Sequence, residues 1–324
     1  MLTMRSSQEG DYIRAVRPMK YILRDGVPTL VTSTELVTPD DVVVQVWTPS
    51  EFDEHIVDPI THKLIDRGLL ETNVCKAEIT RDAIVGLLII PDENNILGKR
   101  THIGYKLSKK ELILIDSTNL STETLNYLRT LPLPSIETPA HCLSSFIDIT
   151  LDNDTEFLHD YEHSMELLEG RIIDDPNTTT NRDILTIRRE ISTMLTYYEG
   201  LSDMVESIND ALFQGLTDED HIYLRALQHR SERLESRVRS LKEYSLNLRE
   251  LYQSQIDLRT NNTMRTLTIV TTIFMPLTVI GGWFGMNLII PISDNPWSFL
   301  IVTLFALLIV VIETLFFKFR GWLK

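Results

Sequence analysis

Cysteine is scarce in this sequence of 324 residues, which contains only Cys75 and Cys142. Two thiols in a chain of this size exclude a disulfide framework of the kind that staples small secreted domains, and they fit a reducing compartment. An apolar stretch is lacking at the N-terminus, where residues 1–14 read MLTMRSSQEGDYIR. We therefore expect no cleaved secretory signal. We expect the two cysteines to be inert thiols in the protein core.

Positive charge is also in deficit, with 31 Lys and Arg against 46 Asp and Glu and a net charge of −15. The deficit lies in residues 1–260, which contain 44 acidic and 27 basic residues and therefore carry a net charge of −17. Such a surface repels a phosphate polymer, which argues against nucleic acid as a partner, and it suits a protein that meets cations.

Recognisable catalytic motifs are missing as well. The sequence has no phosphate-binding loop, no nucleophile motif and no metal-ligand spacing among its eight histidines. We therefore predict that the protein is not an enzyme and carries no cofactor.

The first third of the chain has the pattern of a mixed α/β domain. Short runs rich in Val, Ile and Leu, bounded by Gly, Pro, Asp and Asn, predict strands. These runs are Tyr21–Leu23, Leu30–Thr32, Val42–Trp47, Ile84–Ile90, His102–Leu107 and Leu112–Ile115. Between them, Pro49–Leu70 and Ser121–Leu131 are predicted to be helical.

From Pro139 the pattern becomes helical, in three long segments. The first break is at Asp174-Asp175-Pro176-Asn177, where proline disfavours a continuing helix, and the second is at residues 214–218. In the third segment leucines recur every seven residues, a heptad pattern that predicts packing against other helices along one seam. They are Leu227, Leu234, Leu241 and Leu248.

Two long apolar runs lie near the C-terminus. Residues 266–284 contain no charge and residues 297–317 contain only Glu313, and each run has the ~20 residues that span a bilayer. Basic residues precede the first run and follow the second, so the positive-inside rule places both termini in the cytoplasm. We expect the protein to lie in a plasma (inner) membrane. Glu313 lies near the inner end, where we expect it to snorkel to water or to a basic partner.

The fold class that follows is α+β, with long stalk helices and two transmembrane helices. We divide the chain into a cytoplasmic α/β domain (1–135), a cytoplasmic helical hairpin region (136–216), a stalk helix that continues into span one (217–284), an outer loop (285–296), span two (297–318) and a basic tail (319–324).

Span one differs from span two because it is rich in Thr, Gly and Met. On a helix of 3.6 residues per turn, one face carries hydroxyl, amide, sulfur and small groups, and we call it the polar stripe. The stripe consists of Asn261, Met264, Leu267 or Thr268, Thr271, Met275, Thr278 and Gly282. Either the lining of a narrow wet pore or ordinary helix–helix packing accounts for such a face.

Span one ends in Gly285-Met286-Asn287, preceded by Phe274-Met275-Pro276-Leu277-Thr278. With two terminal spans, a short outer loop and a basic tail, this pattern closely resembles the CorA family of divalent-cation channels. The resemblance implies a homopentameric funnel in the membrane lipid that imports Mg²⁺ as its substrate, with Co²⁺ and Ni²⁺ as possible substitutes. It also implies a selectivity filter at Gly285, Met286 and Asn287, and a pore lined by Asn261, Met264, Leu267, Thr271, Met275, Thr278 and Gly282.

The chemistry of Mg²⁺ agrees with that implied filter. The ion is small, hard and sheds water reluctantly, so neutral amide oxygens of Asn287 are able to hold it through its water shell. The alternative for Asn287 is an ordinary helix C-cap. Met264, Leu267 and Met275 supply apolar rings that close a pore by dewetting.

The resemblance further implies gating by cytoplasmic Mg²⁺ bound at acidic residues between subunits. Asp92 follows a predicted strand and resembles a family acid in that loop, whereas the matching stretch of the long helix, residues 226–229, has no carboxylate. Asp218, Glu219 and Asp220 are candidate substitutes as regulatory metal ligands, although acids at such positions also serve as helix caps.

Two alternatives remain. Zinc-transporting relatives share the topology but usually have Ile in the middle of the tripeptide, where this chain has Met286. The outer loop also lacks the glutamate that commonly follows the tripeptide in the family. The second alternative is a membrane-anchored sensor or enzyme, which leaves the polar stripe of span one unexplained.

Overall fold

The computed structural model of the chain describes residues 19–24, 26–31, 38, 41–55, 65, 74–131, 135–175, 181–286 and 297–322. Its strands are β1 (Met19–Arg24), β2 (Val27–Leu30), β3 (Val43–Trp47), β4 (Lys76–Ile79), β5 (Ala83–Ile90), β6 (Thr101–Ser108) and β7 (Glu111–Asp116). Its helices are α1 (Pro49–His55), α2 (Leu120–Leu128), α3 (Pro139–Thr150), α4 (Asp154–Asp174), α5 (Asn181–Asn209), α6 (Asp218–Phe284) and α7 (Ser298–Phe319).

The described strands form one mixed sheet in the order β2-β1-β3-β7-β6-β5-β4. Neighbouring strands are antiparallel except β3 and β7, which pair in parallel with Val44 opposite Leu112. Strand β5 is buried on both faces over Ala83–Ile89, as expected for a strand with helices or loops on either side. On one face Trp47, Phe52 and Ile65 pack with side chains of β5 and β7 into a hydrophobic cluster.

Each strand predicted from the sequence overlaps an observed one, but β4 was not anticipated. Its sequence, Lys-Ala-Glu-Ile, has neither the β-branched content nor the clean alternation that marks a strand. The predicted helix Pro49–Leu70 is observed as α1 over its first seven residues, and most of the remainder lies outside the described residues.

The chain divides into two compact units, residues 1–169 with 180–247 and residues 170–179 with 248–324. In the first unit, the segment after Pro139 is two helices rather than the single one expected, because the chain turns at Leu151-Asp152-Asn153 between α3 and α4. The heptad leucines of α6 are each less than 5% exposed, so the predicted seam is confirmed.

Arg230 of α6 ties the long helix to the end of α3. Its guanidinium donates to Asp148 Oδ1 at 2.6 Å, to Asp152 Oδ1 at 3.2 Å and to the carbonyl oxygen of Leu151 at 3.0 Å. A cation at a helix C-terminus satisfies carbonyls that have no intrahelical donor and interacts favourably with the helix dipole.

We expect Arg230→Ala to destabilise the first unit by about 2 kcal/mol, because it removes several hydrogen bonds made by one partly buried charge. Thermal unfolding of the full chain in detergent, followed by circular dichroism, should show an apparent Tm lowered by roughly 5 °C. The control is Arg233→Ala, which removes an exposed arginine one turn further along α6. Equal losses in the two variants would contradict the assignment.

Candidate functional site

Two helices of the second unit are long and apolar enough to cross a membrane, namely the C-terminal part of α6 and α7. They coincide with the predicted spans, and the long helix α6 begins at Asp218 and ends at Phe284, where the sequence pattern places its limits. The helix continues through Pro276, whose missing N–H leaves the carbonyl of Thr272 without its usual donor.

The polar stripe of span one is uncovered along its whole length. Each of its members is exposed, with Met264 and Leu267 at 60% and Met275 at 65%. The threonines satisfy their own donors, since Thr271 Oγ1 donates to the carbonyl oxygen of Leu267 and Thr278 Oγ1 to that of Phe274, both at 2.8 Å. The hydroxyl oxygens therefore keep acceptor lone pairs on the exposed face.

The opposite face of span one is covered. Partly or fully buried residues recur along this face at spacings of four, four, three, one and three. They are Arg265, which directly precedes the span, and Ile269, Ile273, Pro276, Leu277 and Ile280 within it. A matching set recurs along span two, consisting of Val302, Ala306, Ile309, Val310, Glu313 and Phe317. From this shared periodicity and burial we infer that the two sets face each other, and we call them together the interspan seam. The polar stripe lies on the other side of span one.

The predicted filter lies at the limit of the described residues. Gly285 N donates to the carbonyl oxygen of Gly281 at 2.9 Å, so the helix bonding extends into the tripeptide, and Met286 is half exposed. Asn287 and the following residues 288–296 lie outside the described part of the chain. The filter assignment therefore stays a prediction.

Asp220, one of the candidate regulatory acids, is buried and forms a helix cap. Its carboxylate accepts hydrogen bonds from Thr217 N and Thr217 Oγ1, both at 2.8 Å, and from Thr138 Oγ1. Thr217 Oγ1 accepts in turn from Asp220 N at 3.2 Å, which completes a reciprocal capping box at the start of α6. Asp218 and Glu219 are exposed. Together with Glu137 and Asp220 they line an open recess at the start of α6.

Asp92, the remaining candidate acid, follows β5 and lines a narrow pocket of about 30 Å³. Glu93 and Asp154 line the same pocket, although sequence reasoning identified neither of them. We call this group of three carboxylates the acidic pocket. Tyr197 and Tyr198 of α5 form its wall, and the hydroxyl of Tyr198 donates to Asp154 Oδ2 at 2.8 Å.

Burial controls the ionisation of the acidic pocket. Asp154 is only 6% exposed, and this burial raises the pKa of its carboxyl to about 6, with a further contribution from the charge of Glu93. Burial likewise raises the pKa of Glu93, and the neighbouring charge of Asp92 adds to that shift. The hydroxyl of Tyr197 is buried in the pocket wall without a hydrogen-bond partner among the described residues.

The raised pKa of Asp154 makes a pH-dependent contribution to stability. Because the folded protein binds this proton more tightly than the unfolded chain, stability falls as pH rises from about 4 to about 6 and is constant above that range. We expect Asp154→Asn to raise the free energy of unfolding at pH 7.5 by about 2 kcal/mol, with the gain vanishing near pH 4.

Apparent Tm values of the full chain in detergent between pH 4 and pH 8 test this expectation. Asp160→Asn is the matched control, because Asp160 is an exposed carboxylate on the same helix. A gain for Asp154→Asn that does not change with pH would show that burial of the charge is not its cause.

Within the described ranges, no three His, Cys, Asp or Glu side chains are arranged closely enough to hold a metal ion. The structure thus brings Asp92 together with Glu93 and Asp154, but it does not bring Asp92 together with Asp218, Glu219 and Asp220 within one chain.

Comparison with known proteins agrees with this architecture. A family model described as CorA-like Mg²⁺ transporter protein matches residues 91–320. The cobalt/magnesium transport protein CorA of Thermotoga maritima is 26% identical over 184 residues, covering 56% of this chain and 52% of that protein. The protein of the same name from Methanocaldococcus jannaschii is 24% identical over 173 residues, covering 52% and 54%. The chain thus spans about half the length of these curated relatives.

Solved structures share the fold over nearly the whole chain. The complete structure of the CorA magnesium transporter from Methanocaldococcus jannaschii aligns with a TM-score of 0.76 at 18% identity, covering 94% of this chain and 99% of that one. The ZntB cytoplasmic domain from Vibrio parahaemolyticus aligns less well, with a TM-score of 0.54 at 11% identity over 74% of this chain.

These matches confirm the family resemblance that the sequence pattern around Gly285-Met286-Asn287 indicates, and the family is one of transporters, as predicted, rather than enzymes. Because the family model covers well over half of the sequence, the chain belongs to the CorA-like Mg²⁺ transporter family.

Proposed function

We propose that this chain is one subunit of a homopentameric membrane channel that imports hydrated Mg²⁺, with span one as the pore helix. The observation that carries the proposal is the difference in exposure between the two faces of span one. Its apolar face is covered in the interspan seam, whereas its polar stripe is uncovered. Hydroxyl and amide groups facing hydrocarbon gain nothing there, so the stripe needs other copies of the same helix around a water-filled axis.

The chemistry of the stripe supports a hydrated cation as the permeating species. Water molecules bound to Mg²⁺ point their hydrogens outward, and the threonine oxygens of the stripe offer lone pairs because their protons are used on backbone carbonyls. The stripe contains no carboxylate that would hold the ion tightly and slow its release. Asn287 would then hold the water shell at the outer mouth.

For regulation, we propose that cytoplasmic Mg²⁺ binds acidic residues and favours the closed pore. The acidic pocket with Asp92 is the better candidate, because its carboxylates repel one another and a divalent cation relieves that repulsion. Since no three described side chains of one chain are placed to hold a metal ion, ligands from a second copy would have to complete this site. Asp218 and Glu219 remain candidates at the start of α6. Asp220 would contribute chiefly by capping that helix.

We propose the orientation from the charges that flank the spans. Arg259 and Arg265 precede span one, and Lys318 and Arg320 follow span two, which favours both termini in the cytoplasm. The alternative of a zinc-transporting protein of the same architecture has less support, because Met286 occupies the middle of the tripeptide and the ZntB domain is the weaker structural match.

Purified protein reconstituted into liposomes tests the proposed function. Mg²⁺ entry is followed with an enclosed dye, and the mass of the protein–detergent complex gives the number of copies. We expect Mg²⁺ entry well above that of empty liposomes, five copies in each complex, and Zn²⁺ entry that is slower than Mg²⁺ entry. A monomer, or liposomes that admit no Mg²⁺, would overturn the proposal.

A further inference from the structure

Span two ends in a turn that brings the chain back to span one. Gly321 has a φ of +68°, in the left-handed region that glycine tolerates without a Cβ penalty. Gly321 N donates to the carbonyl oxygen of Lys318 at 3.0 Å, and Trp322 N to that of Phe317 at 2.9 Å. This Schellman-type end stacks the ring of Trp322 on that of Phe317 with the centroids 5.7 Å apart. We call residues 317–322 the tail turn.

The tail turn holds Arg265, which directly precedes span one. Arg265 Nη2 donates to the carbonyl oxygen of Gly321, and Arg265 Cζ lies 5.3 Å from the centroid of the Trp322 ring. A guanidinium is permanently charged and carries its donors in a planar fork, so it can bond a carbonyl and lie over an aromatic ring at the same time. One side chain therefore joins the inner ends of the two spans by two direct contacts.

Protein atoms cover much of this inner end. Ile269 is 8% exposed and Phe317 is 6% exposed, and Nε of Arg265 is buried without a hydrogen-bond partner among the described residues. Oε2 of Glu313, one turn before Phe317, is likewise covered, which contradicts the expectation that Glu313 snorkels to water. Because an aromatic face attracts a desolvated cation more strongly than a hydrated one, this burial strengthens the contact of Arg265 with Trp322.

The position of Arg265 on the helix relates it to the polar stripe. On a helix of 3.6 residues per turn, Leu267 points about 160° away from Arg265 and Met264 about 100° away. Met264 and Leu267 belong to the polar stripe, and each is 60% exposed. A side chain that is held on one side of the helix therefore determines the direction in which the stripe on the other side faces.

We propose that Arg265 and Trp322 are positioning residues for transport, and that their contact fixes the rotation of the inner end of span one so that Met264 and Leu267 face the pore axis. This role rests on the proposed function of span one as the pore helix, whereas the contact itself does not. Without the contact, the inner end of span one is free to turn, and the apolar ring that blocks ions by dewetting closes incompletely. Loss of either residue should therefore cause a leak rather than a loss of flux.

Mg²⁺ flux into liposomes at millimolar internal Mg²⁺, where the proposed regulation closes the channel, tests this role. Arg265→Gln and Trp322→Ala are each expected to raise this flux by about fivefold, and the double variant to raise it no further, because the same contact is lost in all three. Trp322→Phe keeps an aromatic ring and should stay within about twofold of wild type. Arg320→Gln is the matched control and should leave the flux at the wild-type level, because Arg320 Cζ lies 5.7 Å from the ring of Phe316 at the end of the same helix and joins no second span through that contact.

The apparent Tm of the assembled protein gives a second measurement that needs no transport. Residues in contact lose stability non-additively, so the Tm loss in the double variant should be smaller than the sum of the losses in Arg265→Gln and Trp322→Ala. Additive losses would overturn the contact.

The flux outcomes decide the positioning role separately. Wild-type flux in Trp322→Ala, or an equal rise in Arg320→Gln, would overturn it. If Arg265→Gln does not assemble, a leak in Trp322→Ala that is absent from Trp322→Phe supports the role, and equal flux in these two variants contradicts it. If wild type admits no Mg²⁺, the proposed function fails together with the positioning role, and the Tm losses still decide the contact.

Discussion

Replacing Asn287 with alanine is expected to lower Mg²⁺ flux into liposomes by more than about tenfold, the largest effect expected of any single substitution in this chain. In the proposed pentamer this substitution occurs in all five subunits and removes five amide oxygens from one ring. The water shell of the ion therefore loses its hydrogen-bond acceptors at the mouth of the pore. The remaining apolar opening offers a hydrated divalent cation nothing in place of bulk water.

Asn262→Ala provides the matched control for this measurement. Asn262 is on the same helix but outside the polar stripe, so the same chemical change there should leave flux within about twofold of wild type. Equal flux in wild type and Asn287→Ala would mean that the tripeptide is a helix end and not a filter.

The second large effect is expected at Leu267, in the middle of the apolar groups of the stripe. A ring of leucine side chains around a narrow axis excludes water and thereby blocks ions without a physical plug. Leu267→Ser places hydroxyls in that ring, so we expect flux to rise by about tenfold at millimolar internal Mg²⁺, where the proposed regulation closes the wild-type channel.

Leu304→Ser is the control for that experiment, because Leu304 is a similarly exposed leucine on span two outside the interspan seam. We expect it to leave the closed-state flux at the wild-type level. If the two serine variants leak equally, the gain reflects a general loosening of the membrane helices rather than hydration of the pore.

Much of the architecture follows from the sequence because its signals are local and long. The α6 helix is predictable from Asp218 to Phe284, since a heptad run leads into an uncharged run without a breaker. The turn between α3 and α4 was missed, although Leu151-Asp152-Asn153-Asp154 carries the Asp and Asn residues typical of a turn. The short strand β4 has no comparable local signal.

The acidic pocket could not be predicted in the same way. Asp154, Glu93 and Tyr198 are far apart in sequence, and the raised pKa of Asp154 arises from burial that only the packing of α4, α5 and the loop after β5 creates. Asp220 illustrates the reverse case, because its position in a row of three acids suggested a metal ligand, whereas its hydrogen bonds to Thr217 form a capping box. Glu313 and Phe317 are four residues apart, and this spacing alone predicts that both lie on one face of span two.

The central claim, that the polar stripe of span one faces water, is tested most directly by cysteine labelling. The wild-type background is favourable, because Cys75 and Cys142 are buried and burial raises the pKa of each thiol to about 12. A positively charged thiol reagent added to liposomes is predicted to modify Thr271→Cys and block Mg²⁺ flux, but to leave Ile273→Cys, in the interspan seam, unmodified and conducting. Modification of Ile273→Cys with Thr271→Cys untouched would contradict the account.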